Sequence, residues 1–172
     1  MLDKNADTIQ NMFNELAPKY DRMNTLISFC LHKFVKQKSV NLIPIPLKSK
    51  CLDLCCGTGD IADMLARNNN VENVLGLDFS TKMLEIANHK KHSKKITFQE
   101  GDCTNIPFQN DTFDICTMAF GLRNIKDYQK SITEIYRILK KDGYFLHLDI
   151  FKGNKFINWI FDKTAYLLAY IF

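Results

Sequence analysis

The sequence predicts a doubly wound α/β fold with a mostly parallel sheet, and two observations carry that prediction. From Lys50 onward, short apolar runs alternate with stretches of helical period. The runs are nearly continuous, as in Cys51-Leu52-Asp53-Leu54-Cys55, the pattern of strands covered on both faces. Composition agrees, since 172 residues that are 46% hydrophobic and 24% charged suit one domain with its own core.

The elements follow in order. Ile9, Met12, Phe13 and Leu16 fall at i, i+3, i+4 and i+7 and predict a first helix, which Pro18 is expected to interrupt. A second amphipathic stretch runs from about Leu31 to Leu42 and is closed by Pro44 and Pro46. Residues 1–46 therefore read as an N-terminal helical extension or lid, and residues 47–172 as the core. Strand-like runs occupy residues 51–55, 74–79, 96–99, 113–120 and 144–150, with helices between them at 60–67, 80–88 and 127–140. The last helix carries the stripe Ile125, Tyr128, Ile132, Ile135 and Leu139. A helix-like stretch from about Lys155 to the end leaves room for five strands and no further pair.

The net charge of +4 selects neither nucleic acid nor an anionic membrane as a partner. The apolar stretch at residues 156–172 is broken by Asn158 and Asp162-Lys163 and falls short of the roughly 20 residues of a spanning helix. It reads as the path for an apolar ligand chain, a peripheral membrane contact, or a core helix. The basic run at residues 89–95 reads as a water-facing helix end, with lipid headgroups as the alternative. The N-terminus lacks the layout of a signal or transit peptide. Six cysteines without C-x-x-C spacing read as small core hydrophobes in a reducing, cytoplasmic compartment, and no metal site is expected.

The chemistry gathers at strand ends. Leu54-Cys55-Cys56-Gly57-Thr58-Gly59-Asp60 is a strand running into a glycine turn that opens a helix, where backbone can approach a ligand closely. Gly57, Gly59 and Ala62 also satisfy the dinucleotide fingerprint, so a nicotinamide oxidoreductase is one reading. Three acids weigh against it. Asp53, inside the first strand, would repel a pyrophosphate but suits a ligand with ammonium and sulfonium groups. Asp78 ends the second strand, about 20 residues past the glycines, where a carboxylate accepts from both ribose hydroxyls. Asp102 follows the third strand, where it and the next N–H reach an adenine edge. The alternative reading of all three is turn and cap residues.

This arrangement looks like the class I S-adenosylmethionine-dependent methyltransferase fold, Rossmann-like. The segment after strand four, Phe120-Gly121-Leu122-Arg123-Asn124, lacks the Pro-Pro-aromatic tetrapeptide of amino-group methyltransferases, which argues against RNA or amide nitrogen as target. Tyr20-Asp21-Arg22-Met23-Asn24 with Ser28 and His32 resembles the first signature of the ubiquinone/menaquinone biosynthesis C-methyltransferase family. Phe120–Asn124, Asp53–Asp60, Asp78-Phe79-Ser80 with Met83-Leu84, and Arg137-Ile138-Leu139-Lys140 agree as well.

The resemblance implies methyl transfer from S-adenosyl-L-methionine to a ring carbon of a prenylated demethylquinol, with demethylmenaquinol favoured and a benzoquinol the alternative. Departures are Phe34 for the usual Trp, Lys141-Asp142-Gly143 for Pro-Gly-Gly, and Asp149-Ile150-Phe151 for Glu-x-Ser. Relatives continue past Phe172 through two further strands, so the last two strands are expected to be missing and an inactive truncated fragment is a rival reading.

Residue roles follow from that resemblance. Gly57 and Thr58 line the methionine end, with Asp53 facing the ammonium. Asp78 holds the ribose, and Asp102 with Cys103 the adenine. A phenol titrates near about 10, so a base or a cation must favour the phenoxide that makes the ring carbon nucleophilic. Arg123 is the expected cation, and Asp21 or His32 the expected proton acceptor if the N-terminal segment covers the pocket. The plainer alternatives are a helix cap for Asp21, a surface site for His32, and an Arg123–Asp127 ion pair.

Overall fold

The computed structural model describes residues 5–90 and 93–149. The apolar stretch at 156–172, the end of the fifth strand past Asp149, and Lys91-His92 of the basic run lie outside the described residues.

Five strands, β1 (Ser49–Leu54), β2 (Val71–Asp78), β3 (Ile96–Glu100), β4 (Phe113–Ala119) and β5 (Leu139–Leu148), form one sheet in the order β3-β2-β1-β4-β5. Each neighbouring pair is parallel. Helices α1 (Ala6–Ile27), α2 (Leu31–Val40), α3 (Asp60–Ala66), α4 (Thr81–His89) and α5 (Tyr128–Ile138) complete the described fold. The order reverses at β1, so the glycine turn after β1 opens at the switch point where such sheets bind ligands.

The alternation of β1 shows why both faces must be covered. Leu52 and Leu54 enter a core with Met118, Ile135 and Ile138 on the α5 side. Cys51 enters a second core with Val40, Ile61, Leu65, Val74 and Ile115 on the α2–α3 side. Successive side chains point to opposite faces, and both faces are apolar. The α5 side is pinned by Arg137. Its Nη1 donates to Phe108 O at 2.6 Å and its Nη2 to Ile106 O at 2.9 Å, while Nε reaches Glu134 at 2.8 Å.

Two expectations change. Pro18 does not interrupt the first helix; α1 runs through it for 22 residues. Proline removes one helical bond, and tertiary contacts on both sides of it hold the helix together. Gln10 Nε2 donates to Phe79 O at 2.6 Å, Ser80 Oγ donates to Asn14 Oδ1 at 2.7 Å, and Thr58 Oγ1 donates to Asp21 Oδ1 at 2.7 Å. The last helix ends at Ile138, and β5 starts at Leu139 instead of Tyr144. Phe113 pairs with Leu139 but Ile115 with Tyr144, so the segment expected as a turn is a bulge inside the strand, with Asp142 at φ 63°.

Candidate active site

A cavity of about 350 Å³ opens at the C-terminal ends of the strands. That is within the range of small-molecule sites. Its floor comes from the strand ends and the turns that follow: Cys55 after β1, Asp78 to Ser80 at β2, Gly101 to Thr104 after β3, and Ala119 to Gly121 after β4. Its wall comes from α1, through Ile9, Gln10, Phe13 and Tyr20.

The turn after β1 is held open by its backbone. Gly59, at φ 86°, caps α3 in a left-handed conformation that a side chain would strain. Gly121 meets the same turn from β4, and a Cβ there would lie 2.7 Å from Cys55 Cβ. Phe120 itself has φ 60°, an unusual conformation for a bulky residue at the cavity floor.

Asp78, Asp102 and Cys103 line the cavity together. Gly57 N donates to Asp78 Oδ2 at 2.7 Å and Ser80 N to Oδ1 at 2.8 Å. Burial pushes the Asp78 carboxyl up, against these backbone bonds. Asp102 accepts from Thr104 N and Oγ1, both at 2.7 Å, which fixes the orientation of its carboxylate. The Cys103 thiol is held below its ordinary range by a hydrogen bond with the Cys55 thiol.

Asp53 lies under the turn and outside the cavity lining. It is 1% exposed, accepts from Thr117 Oγ1 at 2.7 Å and from Ala62 N at 3.1 Å, and burial pushes it up to about 7. It thereby ties β1 to β4 and to the first turn of α3.

Thr58, Asp21 and His32 gather in a second cluster beside the cavity. Asp21 accepts from Thr58 and pairs through Oδ2 with Lys90 Nζ at 2.7 Å. Lys36 Nζ bonds Asp60 Oδ2 at 3.0 Å. Burial opposes ionisation of Asp60, but Lys36 holds its carboxyl below the usual value. His32 Nδ1 lies 2.6 Å from Ser28 Oγ, whose proton is given to Asn24 O at 2.6 Å. Nδ1 must therefore be the donor, which leaves Nε2 with a free lone pair. Burial and then Lys36 hold the imidazolium below its ordinary pKa, so His32 is neutral near pH 7.

Arg123 sits on the 3₁₀ turn Leu122–Asn124, with its guanidinium 5.8 Å from the centre of the Phe120 ring. Its ion-pair partner is Asp149, at 3.5 Å, and not Asp127. Asp127 instead caps α5, accepting from Lys130 N at 3.0 Å.

Sequence reasoning gave residues 1–46 as an extension or lid but assigned none of the α1 side chains that wall the cavity. The stripe of Ile9 and Phe13 was legible, but a stripe does not say whether it faces a core or a cavity. No signal pointed to Gln10, whose bond to Phe79 O fastens α1 over the end of β2.

The donor set discriminates between cofactors. A pyrophosphate needs the turn's N–H groups, yet Gly57 N is already taken by the Asp78 carboxylate. Two cavity carboxylates at the ends of β2 and β3 suit hydroxyls and amines, so the residues fit S-adenosyl-L-methionine. Fold and site together define an S-adenosylmethionine-dependent methyltransferase. The chain belongs to the ubiE/COQ5 methyltransferase family, whose model matches residues 1–170.

Relatives agree. The demethylmenaquinone methyltransferase of Leptospira interrogans is 43% identical over 178 residues, covering 96% of this chain and 72% of that protein. The demethylmenaquinone methyltransferase of Lactiplantibacillus plantarum is 34% identical, covering 100% of this chain and 77% of that one. Among solved structures, the complex of the Haloferax volcanii Trm112 methyltransferase activator with its methyltransferase partner matches with a TM-score of 0.69. Its identity is 23%, over 77% of this chain and 57% of that chain. Haemonchus contortus phosphoethanolamine N-methyltransferase 1, solved with phosphoethanolamine and S-adenosylhomocysteine, matches with a TM-score of 0.68 and 18% identity. It covers 81% of this chain and 31% of that one. These two show the fold.

Proposed function

We propose that this chain methylates a ring carbon of a prenylated demethylquinol, demethylmenaquinol in preference to a benzoquinol. One observation carries the reading: the cavity pairs a polar floor, with Asp78 and Asp102, with an apolar wall of Ile9 and Phe13, a combination suited to a polar cofactor beside an apolar ring. The relatives named demethylmenaquinone methyltransferase support the naphthoquinol over the benzoquinol.

Bound S-adenosylmethionine supplies an electrophilic methyl group on sulfonium. The residues of this chain do the rest. Asp78 would accept from the ribose hydroxyls, Asp102 and the Cys103 N–H would meet the adenine edge, and Gly57 with Thr58 would flank the methionine end. Asp53, buried beneath the glycine turn, does not meet the ammonium; it supports the methionine end from below by holding β1 to β4 and to the first turn of α3 through Thr117 and Ala62. Arg123, which lies beside Phe120, outside the cavity lining and paired with Asp149, would turn from that partner to hold the quinol oxygen as phenoxide and so place negative charge on the ortho carbon. His32, neutral and with Nε2 free, takes the phenolic proton when α1 and α2 close on the substrate. Asp21 keeps those helices on the glycine turn through Thr58. Ile9 and Phe13 exclude water from the attack line.

The test is methyl transfer from labelled S-adenosylmethionine to a short-chain prenylated naphthoquinol and to the matching benzoquinol. Arg123→Ala should bind S-adenosylhomocysteine normally and lose at least about a hundredfold in turnover, the scale of a lost oxyanion donor. Undiminished turnover in that variant would remove Arg123 from the chemistry.

A further inference from the structure

The most conspicuous surface away from the cavity is the corner between α1 and α2. Helix α1 stops at Ile27, and the chain turns through Phe29 and Cys30 at φ 48° and 63°. Three backbone bonds fix the turn: Phe29 N to Leu26 O, Cys30 N to Thr25 O, and Leu31 N to Ser28 O. The outcome is an apolar knuckle held outward. Phe29 is 85% exposed, Leu31 and Phe34 are each 59% exposed, and Leu26 is 50% exposed. Leu31 and Phe34 are three residues apart on α2 and share a face. A bulky aromatic kept in a left-handed conformation and almost fully in water costs stability twice, which points to a use for it.

The charge along the segment that carries the knuckle has one sign. Between Asp21 and Asp53 the chain carries Arg22, Lys33, Lys36, Lys38, Lys48 and Lys50 and no Asp or Glu. Lys36 is neutralised by Asp60. Lys33 and Lys38 are exposed and flank Phe34, with Lys38 Nζ 5.6 Å from the centre of its ring. Protruding aromatic and aliphatic side chains ringed by lysines match the boundary layer of an anionic bilayer, where acyl chains lie under phosphates. A protein partner would need a pocket to receive the knuckle, and a nucleic acid would leave Leu26 and Leu31 without an apolar partner.

We propose that the α1–α2 corner is a membrane-docking surface. Leu26, Phe29, Leu31 and Phe34 enter the headgroup–acyl boundary of an anionic leaflet, and Lys33 and Lys38 meet the phosphates. None of these residues belongs to 89–95 or 156–172, the segments singled out in the sequence. No helix among the described residues is long and apolar enough to cross a membrane, so the contact is peripheral. The inference rests on the surface alone and not on the proposed reaction, but it would bring α1, the cavity wall, to the phase that holds a prenylated quinol.

The experiment uses the full chain, vesicles of phosphatidylcholine alone or mixed equally with phosphatidylglycerol, and no cofactor or quinol. Its outcome is thus independent of the methyl-transfer reading. Sedimentation should show partition onto the anionic vesicles, weakening as salt rises. Phe29→Ser with Phe34→Ser should lower that partition about tenfold or more, the scale of two buried aromatics only partly inserted. Lys33→Glu with Lys38→Glu should remove the preference for anionic lipid. Cys30, an exposed free thiol at the corner, gives a second readout. Its alkylation by a maleimide should be fast in solution and slowed by anionic vesicles, and the Phe-to-Ser pair should lose that protection while still binding S-adenosylhomocysteine.

Four results would overturn the proposal. They are no partition by the folded chain, partition unchanged in the Phe-to-Ser pair, Cys30 protection that grows with protein concentration alone (a second copy), and slow alkylation at every dilution (the corner covered by the chain itself).

Discussion

The two buried or half-buried acids on β1 and β2 have opposite relations to a ligand, and each makes a separate prediction. Asp78 presents a carboxylate to the cavity, so on the proposed reading Asp78→Ala removes charge-assisted bonds to the ribose. Affinity for S-adenosylhomocysteine should fall by about 1.5–3 kcal/mol, read by calorimetric titration; an unchanged dissociation constant would take Asp78 out of the site. Asp53 is held at about 7 by burial, above its ordinary 3.8. A carboxyl raised in the folded state contributes stability that is full below the unfolded value and is lost as pH rises through the folded value. Between about pH 4 and pH 7 the wild type should therefore lose stability from this group, by about 4 kcal/mol at most, relative to Asp53→Asn. Subtracting the variant's melting curve from the wild type's isolates Asp53 from Asp78 and from His32, whose lowered value acts in the opposite direction. Parallel pH profiles would mean that Asp53 is ionised in the folded chain. Both acids were legible in the sequence because each stands at a strand position that repeats in the pattern. Their different environments were not, since nothing in Asp53-Leu54-Cys55 announces that Thr117 and Ala62 meet its two oxygens.

Helices were legible where period and cap agreed and illegible where a tertiary contact outvoted a local rule. Ser80 and Asp127 open the helices expected at 80–88 and 127–140, and in the structure they are the N-caps, accepting from Met83 N at 3.2 Å and Lys130 N at 3.0 Å. The strand order could not be read from spacing, because a crossover of given length reaches either neighbour. The bulge in β5 was hidden because Lys140-Lys141-Asp142-Gly143 has turn chemistry and uses it within a ladder. Pro18 is the clearest case. Local rules end the helix there, yet bonds from Gln10, Asn14 and Asp21 to the strand-end turns keep α1 continuous. The missing N–H leaves one helical bond unmade, and Pro18→Ala supplies it. Stability should rise by up to about 3 kcal/mol in denaturant unfolding, with S-adenosylhomocysteine affinity unchanged. A destabilised variant with weaker binding would instead mean that the ring sets the path of α1 toward its tethers.

At the scale of the molecule, three of the tethers of α1 end on the segments that frame the cavity. Gln10 reaches Phe79, Asn14 reaches Ser80, and Asp21 reaches Thr58. Asp78 couples two of those segments, accepting from Gly57 N in the β1 turn and from Ser80 N in the β2 turn. A ligand that engages Asp78 therefore braces both turns and, through them, the helix that walls the cavity. Helix α5 lies on the far side of the β3–β4 connection, fastened by Arg137, and shares none of these bonds. Saturating S-adenosylhomocysteine, at a hundredfold excess over its dissociation constant, should add about 2.7 kcal/mol to global stability. The distribution of that effect is the sharper test. Amide exchange through local opening should slow in residues 6–20, 57–60 and 78–81 beyond the global change, while residues 128–138 follow the global change alone. Uniform slowing would show that α1 is an ordinary packed helix, indifferent to the cavity. Selective slowing would show that cofactor binding sets the order of the N-terminal helix, and with it the apolar wall of the cavity.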